Sequence, residues 1–208
     1  MGHMSTTRIR MSPDSRREQL IELGVRLLAT RSLEDLSIET LAEEAGISRG
    51  LLYHYFGGKQ EFHTAVVRRA ADDLFAVTAP DGKGSPLEQL EGSLARYVDY
   101  VVDNYEGYVS LVRGAAGGHE GLREIYEESR EALTGRLFEG PVAEEAAQLG
   151  LVDTPAVRLI VRGWSAFTEE VVVDWVRDPR GITRDELLQT LSASLPAILA
   201  PQRSEGLD

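Results

Sequence analysis

Between Gly46 and Phe62 the chain reads GISRGLLYHYFGGKQEF, which gathers an arginine, two tyrosines, a histidine and a lysine with no acid before Glu61. Such a set serves either catalysis or the grip of a polyanion. Catalysis needs a constellation, and none is assembled. His54, His63 and His119 lack metal-ligand spacing, His119-Glu120 has no second histidine four residues after the first, and cysteine is absent as ligand or nucleophile. Gly82-Lys83-Gly84 lacks the rest of a dinucleotide fingerprint, and Gly58-Lys59 has neither the upstream glycine nor the following Ser/Thr of a phosphate loop. Carboxylates on helix surfaces serve solvation and i,i+4 pairing. No enzyme, metal site or organic cofactor is expected.

Charge favours the other use. The chain holds 34 acidic and 22 basic residues, a net −12, which would repel a phosphate backbone if evenly spread. It is not evenly spread: residues 1–60 carry eight of each sign, so the excess lies beyond residue 60. Within that first part the acids cluster over 34–44, while Arg8, Arg10, Arg16, Arg17, Arg49 and Lys59 occupy the N-terminal arm and the quoted stretch. Two faces of opposite sign are predicted.

The elements that must position these residues are all helical. No strict alternation is long enough for a strand. Ser12-Pro13 and the box Ser15-x-x-Glu18 both signal the start of a first helix with the stripe Leu20, Leu23, Leu27, Leu28. Ser37 caps a short second helix, Ile38 to Ala45; Gly46 ends it, and Ser48 caps a third running to Phe56. Two short helices around a tight Gly-Ile-Ser turn are a helix-turn-helix. Gly57-Gly58 precedes a long fourth helix, and Pro80-Asp81-Gly82-Lys83-Gly84 forms a flexible joint, which puts a domain boundary near 60–80. Ser85-Pro86-x-Glu88 opens a further helix; others follow around Tyr108–Ala116 and from His119, over 156–177, and over 183–199 with Pro196 near its end. The organisation predicted is a disordered arm over 1–12 that includes the cloning scar Gly2-His3-Met4, a helix-turn-helix domain over 13–60, a connecting helix over 61–79, a C-terminal helical domain over 85–200, and a disordered tail over 201–208. The longest apolar runs, such as Val171-Val172-Val173, are too short for a membrane span or signal peptide, so a cytoplasmic protein is expected.

At 100° per residue, Leu52 and Phe56 share one face of the third helix, and Gly50, Leu51 and His54 share the other. Arg49 and Tyr53 lie on one shoulder, Tyr55 on the opposite one, and Lys59 arrives at the start of the next helix. Shoulders so placed can hold two phosphate strands while the middle face enters a major groove.

The run Leu41-Ala42-x-x-Ala45-Gly46-Ile47-Ser48-x-Gly50-x-Leu52-Tyr53-x-Tyr55-Phe56-x-x-Lys59 resembles the N-terminal domain of the TetR family of bacterial transcriptional regulators. By position the resemblance implies Arg49, Gly50, Leu51 and His54 near bases, with Ser37, Ser48, Tyr53, Tyr55 and Lys59 near phosphates of double-stranded operator DNA. Two positions depart from the pattern: Glu39 stands where some members carry a basic or neutral contact, and Gly58 replaces a capping Ser, Asp or Asn.

The resemblance also implies a C-terminal domain that binds a small-molecule effector between its helices and forms a homodimer through its last two, here 156–177 and 183–199. Tyr97, Asn104, Tyr105, Tyr108, Trp164 and Thr168 put polar tips, and Phe167 an aromatic ring, on apolar faces, as a ligand cavity would require. Arg113, alone in a small, apolar run, suits either an anchor for a ligand carboxylate or a structural ion pair. Val172 is taken as an outward, dimer-facing position. The function implied is a repressor released from a palindromic operator by a largely apolar effector. A DNA-binding protein of the same fold without an effector, and a helical lipid-binding protein, are the alternatives.

Overall fold

The computed structural model describes residues 12–204; the arm with Arg8 and Arg10, and residues 205–208, lie outside them. Ten α-helices and one 3-10 turn, with no strand among the described residues, make up the fold. Helix α1 (Pro13–Leu28) starts at Ser12, whose side chain accepts the Ser15 amide, with Pro13 in the first turn where an N–H has no helical acceptor. Of the two predicted start signals, Ser12-Pro13 is therefore the cap, and Ser15 lies inside the first turn.

Ser37 caps α2 (Ile38–Ala45) by accepting the Thr40 amide. Gly46 closes α2 in the left-handed region at φ 63°, where a Cβ would be strained, and turns the chain into Ser48. Ser48 accepts the Leu51 amide and starts α3 (Arg49–Tyr55), one residue shorter than predicted because Phe56 is already extended. The long α4 (Lys59–Val77) begins at Gly58 with no side-chain cap. Leu20, Ile21, Leu41, Leu52, Phe56, Phe62 and Val66 from these helices share one core.

The C-terminal part comprises α5 (Pro86–Asp103), α6 (Tyr105–Ala116), α7 (Glu120–Gly135), a 3-10 turn (Arg136–Phe138), α8 (Gly140–Gln148), α9 (Pro155–Arg177) and α10 (Arg184–Ser204). Helix α5 has a full capping box between Ser85 and Glu88. Helix α10 runs on past Pro196 to Ser204, so residues 201–204 are helical rather than part of a disordered tail.

The boundary between the two parts is packed. Leu122 and Ile125 of α7 belong to the N-terminal core. Gly107 of α6 sits so close to the end of α1 that a Cβ there would lie 2.4 Å from Leu28 Cγ and 2.7 Å from the Leu28 carbonyl oxygen. Beside it, the Leu33 amide donates to Ser110 Oγ at 3.1 Å.

The last two helices correct one expectation. Val172 is fully buried and packs in the C-terminal core, because it shares the inward stripe of Val157, Val161, Trp164 and Thr168. The outward stripe of α9 holds Leu159, 71% exposed, Gly163 and Phe167, 43% exposed, spaced by four. Helix α10 adds exposed Ala193, Ala197 and Ile198.

Candidate DNA-reading face and ligand cavity

Packing decides which side of α3 is free. Leu52 and the following Phe56 are fully buried, so the opposite side must face outward. Ser48, Arg49, Gly50, Leu51, Tyr53 and His54 are all exposed, and a Cβ added at Gly50 would meet nothing within 4 Å. The helix therefore presents a shallow centre between longer side chains. Tyr55 is half-buried with its ring edge-on to His54 at 5.7 Å, and Ser37 is half-buried at the α2 cap. Exposed Lys59 donates from Nζ to the Glu34 carbonyl at 3.2 Å.

Two details qualify the sequence reading. Arg49 is engaged by Glu39 across the turn, Nη1 to Oε1 at 3.7 Å. Both side chains are more than half exposed, so the pair is weak and yields readily to a better acceptor. Residues 46–50 also spell Gly-Ile-Ser-Arg-Gly, the Gly-x-Ser-x-Gly spacing of a hydrolase nucleophile elbow. An elbow needs a strand leading into the serine. Here α2 leads in, and Ser48 Oγ accepts the Leu51 amide at 3.3 Å as a helix cap.

A cavity of about 200 Å³ runs between the two parts of the chain. Its walls come from α1 (Val25, Leu28) and the adjoining Ala29, and from α4, α5, α6, α7, the 3-10 turn, α8 and α9. Of the predicted ligand residues it brings together Tyr97, Asn104, Tyr108, Trp164 and Thr168. Arg113 and Phe167 are exposed and stand outside it: Arg113 points outward from α6, and Phe167 follows Leu159 on the outward stripe of α9. Tyr105 packs against the C-terminal core without lining the cavity.

The polar groups converge. Tyr108 donates to Glu169 Oε2 at 2.9 Å and Tyr126 to Oε1 at 2.6 Å. Because the Tyr108 proton is committed to Glu169, the 2.8 Å contact between Tyr97 and Tyr108 has Tyr97 as donor. Burial is the main cause that pushes all three phenols above their ordinary value, so they stay protonated donors. Trp164 Nε1 donates to Ser194 Oγ at 2.8 Å and ties the cavity wall to α10. Thr168 Oγ1 and Arg130 Nε are buried without a partner among the described residues, and both residues line the cavity. Sequence reasoning missed Tyr126, Arg130 and Glu169, because on amphipathic helices their spacing matches that of any solvated residue, and Arg136, because it lies in the short 3-10 turn after α7.

No helix among the described residues is long and apolar enough to cross a membrane, and no cluster of His, Cys, Asp or Glu there could hold a metal.

Comparison with known proteins bears on both sites. Residues 20–66 match the profile of bacterial regulatory proteins of the tetR family, and residues 86–197 match the tetracyclin repressor-like C-terminal domain. The transcriptional repressor KstR2 of Mycobacterium tuberculosis is 38% identical over 81 residues, which is 38% of this chain and 40% of that protein's length. The transcriptional activator FasR of Mycolicibacterium smegmatis is 21% identical over 86% of this chain and 81% of its own. A tetR-family regulator from Streptomyces coelicolor superposes with a TM-score of 0.80 at 31% identity, covering 94% of this chain and 85% of that one. With its helix-turn-helix, its packed helical C-terminal part and matches to both domains, this chain belongs to the TetR family of transcriptional regulators.

Proposed function

We propose that the protein is a homodimeric repressor that holds a palindromic operator through its two α3 helices and releases it when a small, largely apolar effector fills the cavity. Arg49, Gly50, Leu51 and His54 face the bases, and Ser37, Ser48, Tyr53, Tyr55 and Lys59 the phosphates. Arg49 leaves Glu39 for a guanine, whose O6 and N7 accept a guanidinium fork. The dimer forms through the outward faces of α9 and α10, where Leu159, Phe167 and Ile198 leave apolar surface uncovered. That symmetry sets the two half-sites about one helical turn apart.

The observation that carries the reading is the composition of the cavity wall. Val25 and Leu28 of α1 and Val67 and Ala70 of α4 belong to the helices that hold α3, and they face the same space as Tyr97, Tyr108 and Trp164. A ligand there touches both parts of the chain, so it can favour one placement of α3 over another. Ligand and DNA are then negatively coupled, by about 1–3 kcal/mol in each direction. The test is a linkage titration in a Trp175→Phe variant, which leaves Trp164 as the sole tryptophan. Saturating operator DNA should move the ligand titration at Trp164 by the same factor by which ligand weakens DNA binding. A compound that releases DNA without changing Trp164 places the effector site elsewhere.

A further inference from the structure

Most arginines of the acidic C-terminal part hold a carboxylate, as Arg158 holds Asp153 and Arg184 holds Asp99. Among the described residues Arg96 and Arg136 do not. Both are half-buried, and each spends its donors on neutral acceptors around the end of α4. Arg96 Nε donates to the Val77 carbonyl at 2.9 Å and Nη2 to the Ala79 carbonyl at 2.8 Å. Arg136 Nη1 donates to the Phe75 carbonyl at 3.1 Å, Nη2 to Thr78 Oγ1 at 2.7 Å, and Nε to the Leu133 carbonyl at 3.4 Å. Its guanidinium lies 4.3 Å from the centre of the Phe75 ring.

One cation at a helix C-terminus is explained by the helix dipole and its unpaired carbonyls. Two, half-buried and without a counter-ion among the described residues, repel each other. The Arg136 guanidinium is pushed down to about 10, by burial first and by the charge of Arg96 second. Arg136 still has two N–H donors beyond those three bonds, since a guanidinium carries five. It also lines the cavity, together with Thr78, Pro80, Pro86 and Gln89 from the adjoining ends of α4 and α5.

We propose that Arg136, with Arg96 beside it, is the head-group subsite of the cavity, and that the ligand is an amphiphile with an apolar body and one anionic group, a carboxylate or a phosphate. This deepens the effector reading and rests on it. An anion supplies the missing counter-charge and matches the guanidinium fork. It also competes for donors that otherwise fasten Phe75, Val77, Thr78 and Ala79. Helix α4 begins at Lys59 in the DNA-reading segment, so loosening its far end gives the head group a direct path to α3.

The test compares octanoate, octyl phosphate and octanol, titrated below their micellar range into the full chain and followed by tryptophan fluorescence. At least one of the two anions should bind about tenfold or more tightly than octanol, as expected for hydrogen bonds to a charged group; which one does so identifies the head group. Arg136→Gln should abolish that preference while leaving octanol affinity within about twofold. If Arg136→Gln does not fold, Arg136→Lys and Arg96→Gln decide, and each should reduce the preference at least about threefold. Equal binding of all three compounds, no binding of any, or a preference that survives these substitutions overturns the proposal. The effector reading is tested separately on DNA. Arg136-dependent binding of an anion that leaves DNA affinity unchanged sinks that reading and spares the subsite, whereas DNA release by neutral compounds alone does the reverse.

Discussion

The seam between α1 and α6 allows a prediction of known sign. In Gly107→Ala the new Cβ would stand 2.4 Å from Leu28 Cγ and 2.7 Å from the Leu28 carbonyl oxygen. Carbon atoms pack best at about 3.5–4.0 Å, so about 1 Å of separation is needed. The Leu28 side chain can rotate away, but its backbone oxygen cannot, and α6 must back off from α1. Overpacking of this kind costs about 1–3 kcal/mol. Alanine recovers up to about 1 kcal/mol of helix propensity, less in a first turn. With about half that gain in a first turn, the net loss is about 0.5–2.5 kcal/mol, or a fall in Tm of roughly 1–10 °C for a chain of this size. Gly50→Ala is the matched control, since its Cβ meets nothing within 4 Å. It gains the same propensity without a clash, so Tm should hold or rise by up to about 4 °C. Far-UV circular dichroism melts of both variants at one protein concentration measure the two shifts. A Gly107→Ala protein that melts at or above the wild-type temperature would refute the packing argument.

Lys59→Ala should weaken binding to all DNA sequences alike and lower the salt slope by about one, as measured by anisotropy at several salt concentrations; a sequence-selective loss would remove Lys59 from the backbone contacts. Phe167→Glu, alone or with Leu159→Glu, should give folded monomers by light scattering that lose operator affinity, whereas Val172→Glu, at a fully buried position, should unfold the chain instead of splitting it. A folded Val172→Glu monomer would return that residue to the dimer face. His63 donates from Nε2 to the Leu36 carbonyl at 2.6 Å, and burial is the main cause that lowers its pKa below the ordinary 6.5. The unfolded chain therefore takes up this proton first. The contribution of His63 to stability is constant above 6.5 and falls as pH drops from there through the folded value. Urea melts of His63→Gln, which keeps a donor for Leu36, should lose that part of the slope, and identical slopes would refute the assignment.

The helix-turn-helix was legible residue by residue, because its signals are local: Ser37, Gly46 and Ser48 set the caps and turn, and buried Leu52 and Phe56 fix which side of α3 faces out. The cavity was legible only in part. Tyr97, Tyr108 and Trp164 stand out as polar-tipped aromatics on apolar faces, but Glu169, Arg130 and Arg136 gain meaning only from helices distant in sequence. Helix α9 was the hardest to orient. It is apolar on two sides, so periodicity alone did not separate Val172, in the core, from Leu159 and Phe167, on the surface. Arg113, which suited either a ligand anchor or an ion pair, is exposed, and an apolar local sequence does not reveal that its own side chain points to solvent.

The central claim is that α3 reads DNA, and selection of bound fragments from a random duplex pool by wild type and Arg49→Ala tests it most directly. Wild type should enrich a two-fold symmetric site with half-sites about one helical turn apart. Arg49→Ala should lose about 1–3 kcal/mol on that site and relax preference at one base pair in each half. A pool with no enriched sequence, or an Arg49→Ala profile identical to wild type, would contradict the account.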